Sequence, residues 1–413
     1  MFSVSKDYAP PFGMIAPFFW IGSLFYLLGM VFLLFLSPDA GHFDPAIAGW
    51  AHWFLLGFMM MIIFGAMAQL VPVVVEVGHF SVDLYYIIWP LLLLGTVLMS
   101  AGFWVSPAIL PYGGLIVLIS MVIFLYDTLM TLRKVTNVTL TVKTVVASNL
   151  FLLAGILTGF VMALAVGVGL DVDISNWLGA HAVLVLGGYV TLTIMGLSMI
   201  LLPMFGLSHG FDETPVNQAF YLMIAGVIFY FLVTVIGWEL GKFLAFVMML
   251  ASVTLYLRQV VIIYQTRARK ENDIWAKSMF VGYGSLLFAA ILGLVYMMTG
   301  SENFLLSGAW FLVIGFFSFL INGHLYKIIP FLVWFERYSP LVGKEKVPML
   351  NEMLPKRMAD YEFIFSSLGL LIGGIGLLVG NNDLFMAGVS LLIAGALFMF
   401  MSVRWMLKYG ENK

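Results

Sequence analysis

One spacing, Gly-x7-Gly-x6-Pro, occurs three times in this chain: Gly57/Gly65/Pro72, Gly188/Gly196/Pro203 and Gly315/Gly323/Pro330. The first glycines stand at 57, 188 and 315, so successive copies lie 131 and 127 residues apart. Self-similarity at a fixed period marks a repeated structural unit. Each copy lies inside a long apolar run, and glycines eight apart fall within about 80° of one another around a helix. Such a stripe of small residues lets a neighbouring helix or a flat ligand approach the backbone. A histidine lies in or beside every copy: His52 and His79, His181 and His209, and His324.

The apolar runs are long enough to cross a bilayer. Hydrophobic residues make up 62% of the chain and charged residues 10%, against about 25% charged in a soluble globule. Crossing the hydrocarbon takes about 20 apolar helical residues. Twelve stretches qualify: roughly 14–37, 48–75, 83–105, 109–132, 145–170, 177–205, 217–238, 243–265, 276–299, 304–335, 362–380 and 384–407. They are continuous rather than alternating, which selects helices over the strands of a membrane barrel. The glycine copies fall on the second, sixth and tenth runs, so the repeat unit is four helices: 14–132, 145–265 and 276–407. An even number of crossings keeps the repeats parallel, related by an axis along the membrane normal. The expected fold is an all-α polytopic membrane protein, one transmembrane domain over 1–413 with twelve helices in three parallel repeats and pseudo-threefold symmetry.

Several classes are excluded. The chain has no cysteine, which rules out disulfides, thiolate metal sites, iron–sulfur clusters and covalent haem attachment. The net charge of −2 points to no nucleic acid partner, and no nucleotide-binding loop, HExxH or nucleophile–base pair is present. No cleavable leader is expected, because residues 1–13 are mildly polar and the run that follows is long enough to span. Every Lys and Arg except Lys242 and Lys327 is Lys6 or falls in 133–143, 258–277, 337–357 or 404–413, all on one side of a twelve-helix chain. The positive-inside rule then puts both termini in the cytoplasm, in a multi-pass protein of the cytoplasmic (inner) membrane. Lipid is the obligatory partner, and a homo-oligomer is compatible with this composition.

The histidines are the leading candidates for chemistry. At 1.5 Å per residue, His52 and His79 lie about 40 Å apart along the chain, near opposite membrane faces, and so do His181 and His209. His52 and His181 form an outer layer, with His42 in an outer loop, while His79, His209 and His324 form an inner layer with one member per repeat. Three neutral imidazoles converging near a threefold axis suit copper, zinc or haem iron. His79 and His209 read as interfacial loop residues. His52, His181 and His324 lie within apolar helices, where an ionisable group usually faces the protein interior. Lys327, three residues after His324, shares its helix face and is placed to hold a haem propionate or another anion, or else to snorkel to the interface. Gln69, Glu76, Asp127, Asn149, Glu239 and Asn322 are the other polar groups in or near these runs.

The second run, Trp50-Ala51-His52-Trp53-Phe54-Leu55-Leu56-Gly57 continuing through Gly65 to Gln69-Leu70-Val71-Pro72, resembles the corresponding segment of the NnrS family, with its His-x4-Gly-x7-Gly-x6-Pro pattern. The sixth run, from His181 through Gly187-Gly188 to His209-Gly210, is loosely similar to that family's second histidine segment. Twelve helices in three arcs are similar to subunit I of the haem-copper oxidases. The resemblance implies that His52 is an axial ligand of a b-type haem, with His181, at similar depth, as its partner. It also brings in copper as a second cofactor. The chain departs from the oxidase pattern where their copper site is built: Ser307-Gly308-Ala309-Trp310 stands where they carry a His-x-His pair, and 217–238 contains no histidine. The outer loops also lack the oxidases' propionate-binding arginines.

These readings lead to an expected function: a haem-binding, metal-binding membrane protein of the haem-copper oxidase/NnrS superfamily, in nitric oxide response or respiratory redox chemistry. Proton-pumping oxidase activity is not expected; whether the chain is an enzyme stays open, with oxidoreductase chemistry on nitric oxide or another small diatomic as the candidate reaction. His52, His181, His324 and Lys327 are the cofactor-binding candidates, and His79, His209 and His324 the metal candidates. The competing reading is a histidine-based transporter of metal or small solutes.

Overall fold

The structure, a computed structural model, describes Tyr8, residues 10–37 and residues 39–411; Lys6 and Lys413 lie outside the described residues. Within them, all extended secondary structure is helical, and twelve helices are long and apolar enough to cross a membrane. In chain order these are α1 Phe12–Phe35, α2 Pro45–Val75, α3 Val82–Trp104, α4 Pro107–Leu132, α5 Leu140–Val168 and α6 Ile174–Gly206. The second half comprises α7 Thr214–Ile236, α8 Glu239–Thr266, α9 Ile274–Thr299, α10 Glu302–Arg337, α11 Lys356–Val379 and α12 Asn382–Leu407. The all-α, twelve-span fold is the one the apolar runs predict. The helices overrun the runs at polar ends. α11 starts at Lys356, six residues before the apolar run that begins at 362, because exposed Lys356, Arg357 and Asp360 continue the helix beyond its apolar stretch.

Helix ends follow from local chemistry. Asp44, Asp173 and Asn381 accept backbone N–H bonds at the starts of α2, α6 and α12, satisfying donors that helical bonding leaves over. α5, α7, α9 and α11 stop at Gly169, Gly237, Gly300 and Gly380, whose positive φ of 64–78° a side chain would resist.

The glycine spacing has a common packing role. A methyl group at Gly57 would overlap the Phe25 ring, and one at Gly65 would stand 2.6 Å from Phe18 Cβ. At Gly188 it would lie 2.6 Å from Phe151 Cβ, and at Gly196 it would overlap Thr144. At Gly315 and Gly323 it would lie 2.5 Å from Ser285 Cβ and 2.8 Å from Ser278 Cβ. Each pair of glycines therefore seats the helix that precedes it, α1, α5 or α9. The seated residues, Phe18/Phe25, Thr144/Phe151 and Ser278/Ser285, are seven apart every time.

The same three helices share a second feature. Over Trp53–Met60, Val183–Thr191 and Phe311–Phe317 the backbone widens into π-helix, and each stretch contains the first glycine of its copy. π-helical turns are rare and concentrate at functional sites. Thr191 Oγ1 donates to Leu186 O at 2.7 Å and Ser318 Oγ to Val313 O at 2.9 Å, each reaching five residues back. Both hydroxyls stand three residues after the glycine; Met60 occupies that place in α2. Beyond the prolines, α2 and α6 close with Val77 N–H on Pro72 O and Ser208 N–H on Pro203 O. Each closure passes through a non-glycine residue of positive φ, Glu76 (54°) or Leu207 (53°). α10 instead continues past Pro330 to Arg337.

By packing, the chain divides into two compact units. One holds Val71–Leu98 and Ser106–Glu271, with α4 to α8; Gly226 of α7 meets Met249 and Ala245 of α8. The other holds Pro10–Leu70, Met99–Val105 and the chain from Asn272 onward. There α11 and α12 pack backbone to backbone, with Gly369 and Gly373 against Gly388, and Gly376 against Phe385.

Candidate functional site

His52 ends the regular part of α2, immediately before the π-helical stretch. Its Nδ1–H donates to Ala48 O at 2.8 Å, and its ring stacks on Phe103 with centroids 5.0 Å apart. A carbonyl only accepts, so the neutral ring carries its proton on Nδ1 and its lone pair on Nε2. Indoles brace the surrounding turn: Trp50 Nε1–H donates to Gly29 O at 2.8 Å and Trp53 Nε1–H to Phe25 O at 3.1 Å. Phe32 packs edge-on against Trp53 and Trp104.

His181 occupies the corresponding turn of α6, two residues before its π-helical stretch. Its Nδ1–H donates to Gly155 O on α5 at 2.9 Å, which selects the same tautomer. Gly159 makes room for this ring, since a Cβ there would lie 2.6 Å from His181 Cε1. In both histidines the imidazole is oriented by a backbone carbonyl, the arrangement that fixes ring and tautomer in metal- and haem-ligating histidines.

His79, His209 and His324 are held in three different ways. His324 Nδ1–H donates to Leu320 O at 2.7 Å, while its Nε2 accepts a long 3.5 Å bond from Trp275 Nε1–H. Ligation through His324 Nε2 therefore requires Trp275 to move. Lys327 Nζ donates to Asp273 Oδ2 at 2.6 Å, and Asp273 also caps α9 through Ala276 N–H. A propionate at Lys327 would compete with that carboxylate. His79, which the sequence places in an interfacial loop, does leave the helix but turns inward. Its Nδ1–H donates to Asp127 Oδ2 at 3.0 Å, with side chains only 2% and 0% exposed. Asp127 Oδ1 accepts from Ser81 N–H at 2.8 Å, and Thr131 Oγ1 accepts from Phe80 N–H at 2.9 Å, so α4 clasps the whole loop. His209 is exposed after α6. His42, in the loop before α2, pairs with Glu302 at the start of α10 at 2.8 Å.

Among the described residues, no group of three or more His, Asp or Glu side chains is arranged to hold a metal ion. Sequence reasoning named Asp127 and Asn322 but missed their partners. It also missed a buried acid, Glu362 on α11, whose Oε1 accepts from Asn322 Nδ2 and Ser366 Oγ at 3.3 Å each. Glu362 is the first residue of the apolar run 362–380, and hydropathy alone does not mark it as buried.

No protein-family model and no curated protein matches this chain. In structure it is similar to a haem-copper terminal oxidase dimer determined by cryo-electron microscopy. The TM-score is 0.61 over 95% of this chain and 84% of that one, at 12% sequence identity. At that identity the likeness carries the fold and not the ligands. The twelve-helix chain has the fold of a haem-copper terminal oxidase.

Proposed function

We propose that the chain is a membrane haem protein of the haem-copper oxidase/NnrS superfamily that binds b-type haem, with His52 and His181 each a candidate axial ligand. It acts as an oxidoreductase in nitric oxide or respiratory redox chemistry. The observation that carries this reading is the shared state of the two imidazoles. Each stands in the turn before a π-helical stretch, with Nδ1 committed to a carbonyl and the lone pair on Nε2. The fold is consistent with it. A bound b haem would supply one-electron chemistry at its iron. The residues of the chain orient and shield: Ala48 and Gly155 carbonyls aim the rings, Phe103 covers the face of His52, and Gly159 admits His181.

Copper is a lesser part of the proposal, because the chain lacks the oxidases' copper-site histidines, and with them the basis for proton-pumping oxidase activity. The internal triplication belongs to it too, supported by the three equivalent glycine seats and π-helical stretches. So do the inner-membrane location, cytoplasmic termini and a homo-oligomeric state. Because native cysteine is absent, single introduced cysteines probed with impermeant reagents report the sidedness of each loop. The reading as a whole is tested by absorption spectra of purified protein. His52→Ala and His181→Ala should each abolish or displace the Soret band while the protein remains monodisperse. Unchanged haem content in both variants removes the assignment.

A second reading, metal handling with His79, His209 and His324 each a candidate ligand, is favoured by one observation. The Asp127 carboxyl behind His79 is how ligating imidazoles are commonly held. It expects colourless protein with bound copper or zinc, lost on His324→Ala; metal-free protein after purification without chelators rejects it.

A further inference from the structure

Glu362 is only 2% exposed, six residues into α11, and no lysine, arginine or histidine pairs with it among the described residues. Its surroundings are neutral amide and hydroxyl groups drawn from four helices of one unit. Asn322 of α10 and Ser366 of α11 both donate to Oε1. Tyr26 of α1 lies beside Asn322 and Ser366, and Tyr326 of α10 beside Ser402 of α12. Asn322 Oδ1, Tyr326 Oη and Ser402 Oγ are buried with no hydrogen-bond partner. Buried polar groups left in that state are sites for ordered water.

An acid in hydrocarbon without a counter-charge is held most cheaply with its proton on. Two donors converge on Oε1, so the proton belongs on Oε2. Hydroxyls both donate and accept, so Tyr26, Ser366, Tyr326 and Ser402 can pass a proton with water completing the unpartnered positions. We propose that Glu362 is a proton-binding site within the membrane-embedded core, exchanging with bulk water through this hydroxyl cluster. On loading, an O–H bond forms at Oε2 with a proton taken from bulk water; on unloading that bond breaks and the proton returns. Exchange runs toward the helix ends carrying Lys356 and Leu407, because Glu362 lies about 9 Å from the first and Ser402 about 8 Å from the second along their helices. The titratable groups facing Glu362 are Tyr26 from α1 and Tyr326 from α10, while α12 presents Ser402. From α9, Lys277 is engaged with Asp360 at 3.8 Å nearer the surface.

The site does not depend on haem. Infrared difference spectra of the full chain in lipid nanodiscs, taken across about pH 5–9 where buried glutamates titrate, test it directly. A protonated-carboxyl C=O band should change amplitude with pH, shift in D2O and vanish in Glu362→Gln. Tyr326→Phe and Ser402→Ala should keep the band but slow its hydrogen–deuterium exchange severalfold. If Glu362→Gln fails to fold, Glu362→Asp serves in its place and must displace the band rather than remove it. A band set unchanged by both substitutions overturns the proposal. So does a Glu362 band that ignores pH, or one whose amplitude follows sodium at fixed pH and so reports a cation site.

Discussion

Asp127 on α4 and Glu362 on α11 are both buried acids in apolar helices, but their surroundings differ in kind. Asp127 meets directional donors on both oxygens, the His79 ring and the Ser81 backbone N–H, at 3.0 and 2.8 Å. Glu362 receives two long bonds on one oxygen and nothing with charge. Asp127 also holds a loop that has no helical bonds of its own, residues 78–81, whereas Glu362 sits among helices that already satisfy their backbones. The first acid is structural because removing it strands donors. The second is available for exchange because its shell is incomplete without water.

The largest expected effect falls on the first acid. Asp127→Ala leaves the His79 Nδ1–H and the Ser81 N–H buried without acceptors, and should destabilise the fold by about 3–5 kcal/mol. Asp127→Asn keeps one acceptor and turns an NH2 toward a donor, for a loss of about 1–3 kcal/mol. Unfolding in graded denaturing detergent, followed by circular dichroism, measures both. Combining Asp127→Ala with His79→Ala should recover part of the loss, since the pair couples directly. Purely additive losses would mean that the 3.0 Å contact does not organise the loop.

Glu362→Gln sharpens the contrast from the other side. The amide oxygen still accepts from Asn322 and Ser366, so stability should change by less than about 1 kcal/mol even as the titrating group disappears. A loss as large as that of Asp127→Ala would erase the distinction between the two sites.

This contrast also explains what the sequence made legible. Apolar runs and glycine spacing are local patterns, so twelve helices and a close approach along each glycine stripe follow from them, while the identity of the seated helices does not. The Nδ1 bonds of His52 and His324 are likewise local, each to the carbonyl four residues back. The other partnerships cross long separations: His181 to Gly155, His79 to Asp127 and Lys327 to Asp273. No spacing rule encodes them, because packing of whole helices decides which side chains meet. The π-helical stretches are an intermediate case. The glycines mark where the backbone is approached, but the change of hydrogen-bond register also depends on hydroxyls such as Thr191 and Ser318, which look ordinary in sequence.

Two surface acids complete the series and carry the smallest effect. Asp173 and Asp212 lie outside the spans. The Ser175 hydroxyl and Asn176 N–H hold Asp173 below the usual carboxylate range, and the Thr214 hydroxyl and N–H do the same for Asp212. A depressed folded value means the ionised form binds its donors more tightly than it binds water. The resulting stability is fully present above the unfolded value of about 3.9, and it is lost as pH falls through the lower folded value. Stability should therefore be flat in these groups from neutral pH down to about pH 4, then decline. An asparagine oxygen accepts at a cap or a turn about as well as aspartate, so the double variant Asp173→Asn/Asp212→Asn should match the parent at neutral pH and fall less steeply under acid. An acid limb equally steep in the variant would assign that decline to other carboxyls and leave these two as passive acceptors.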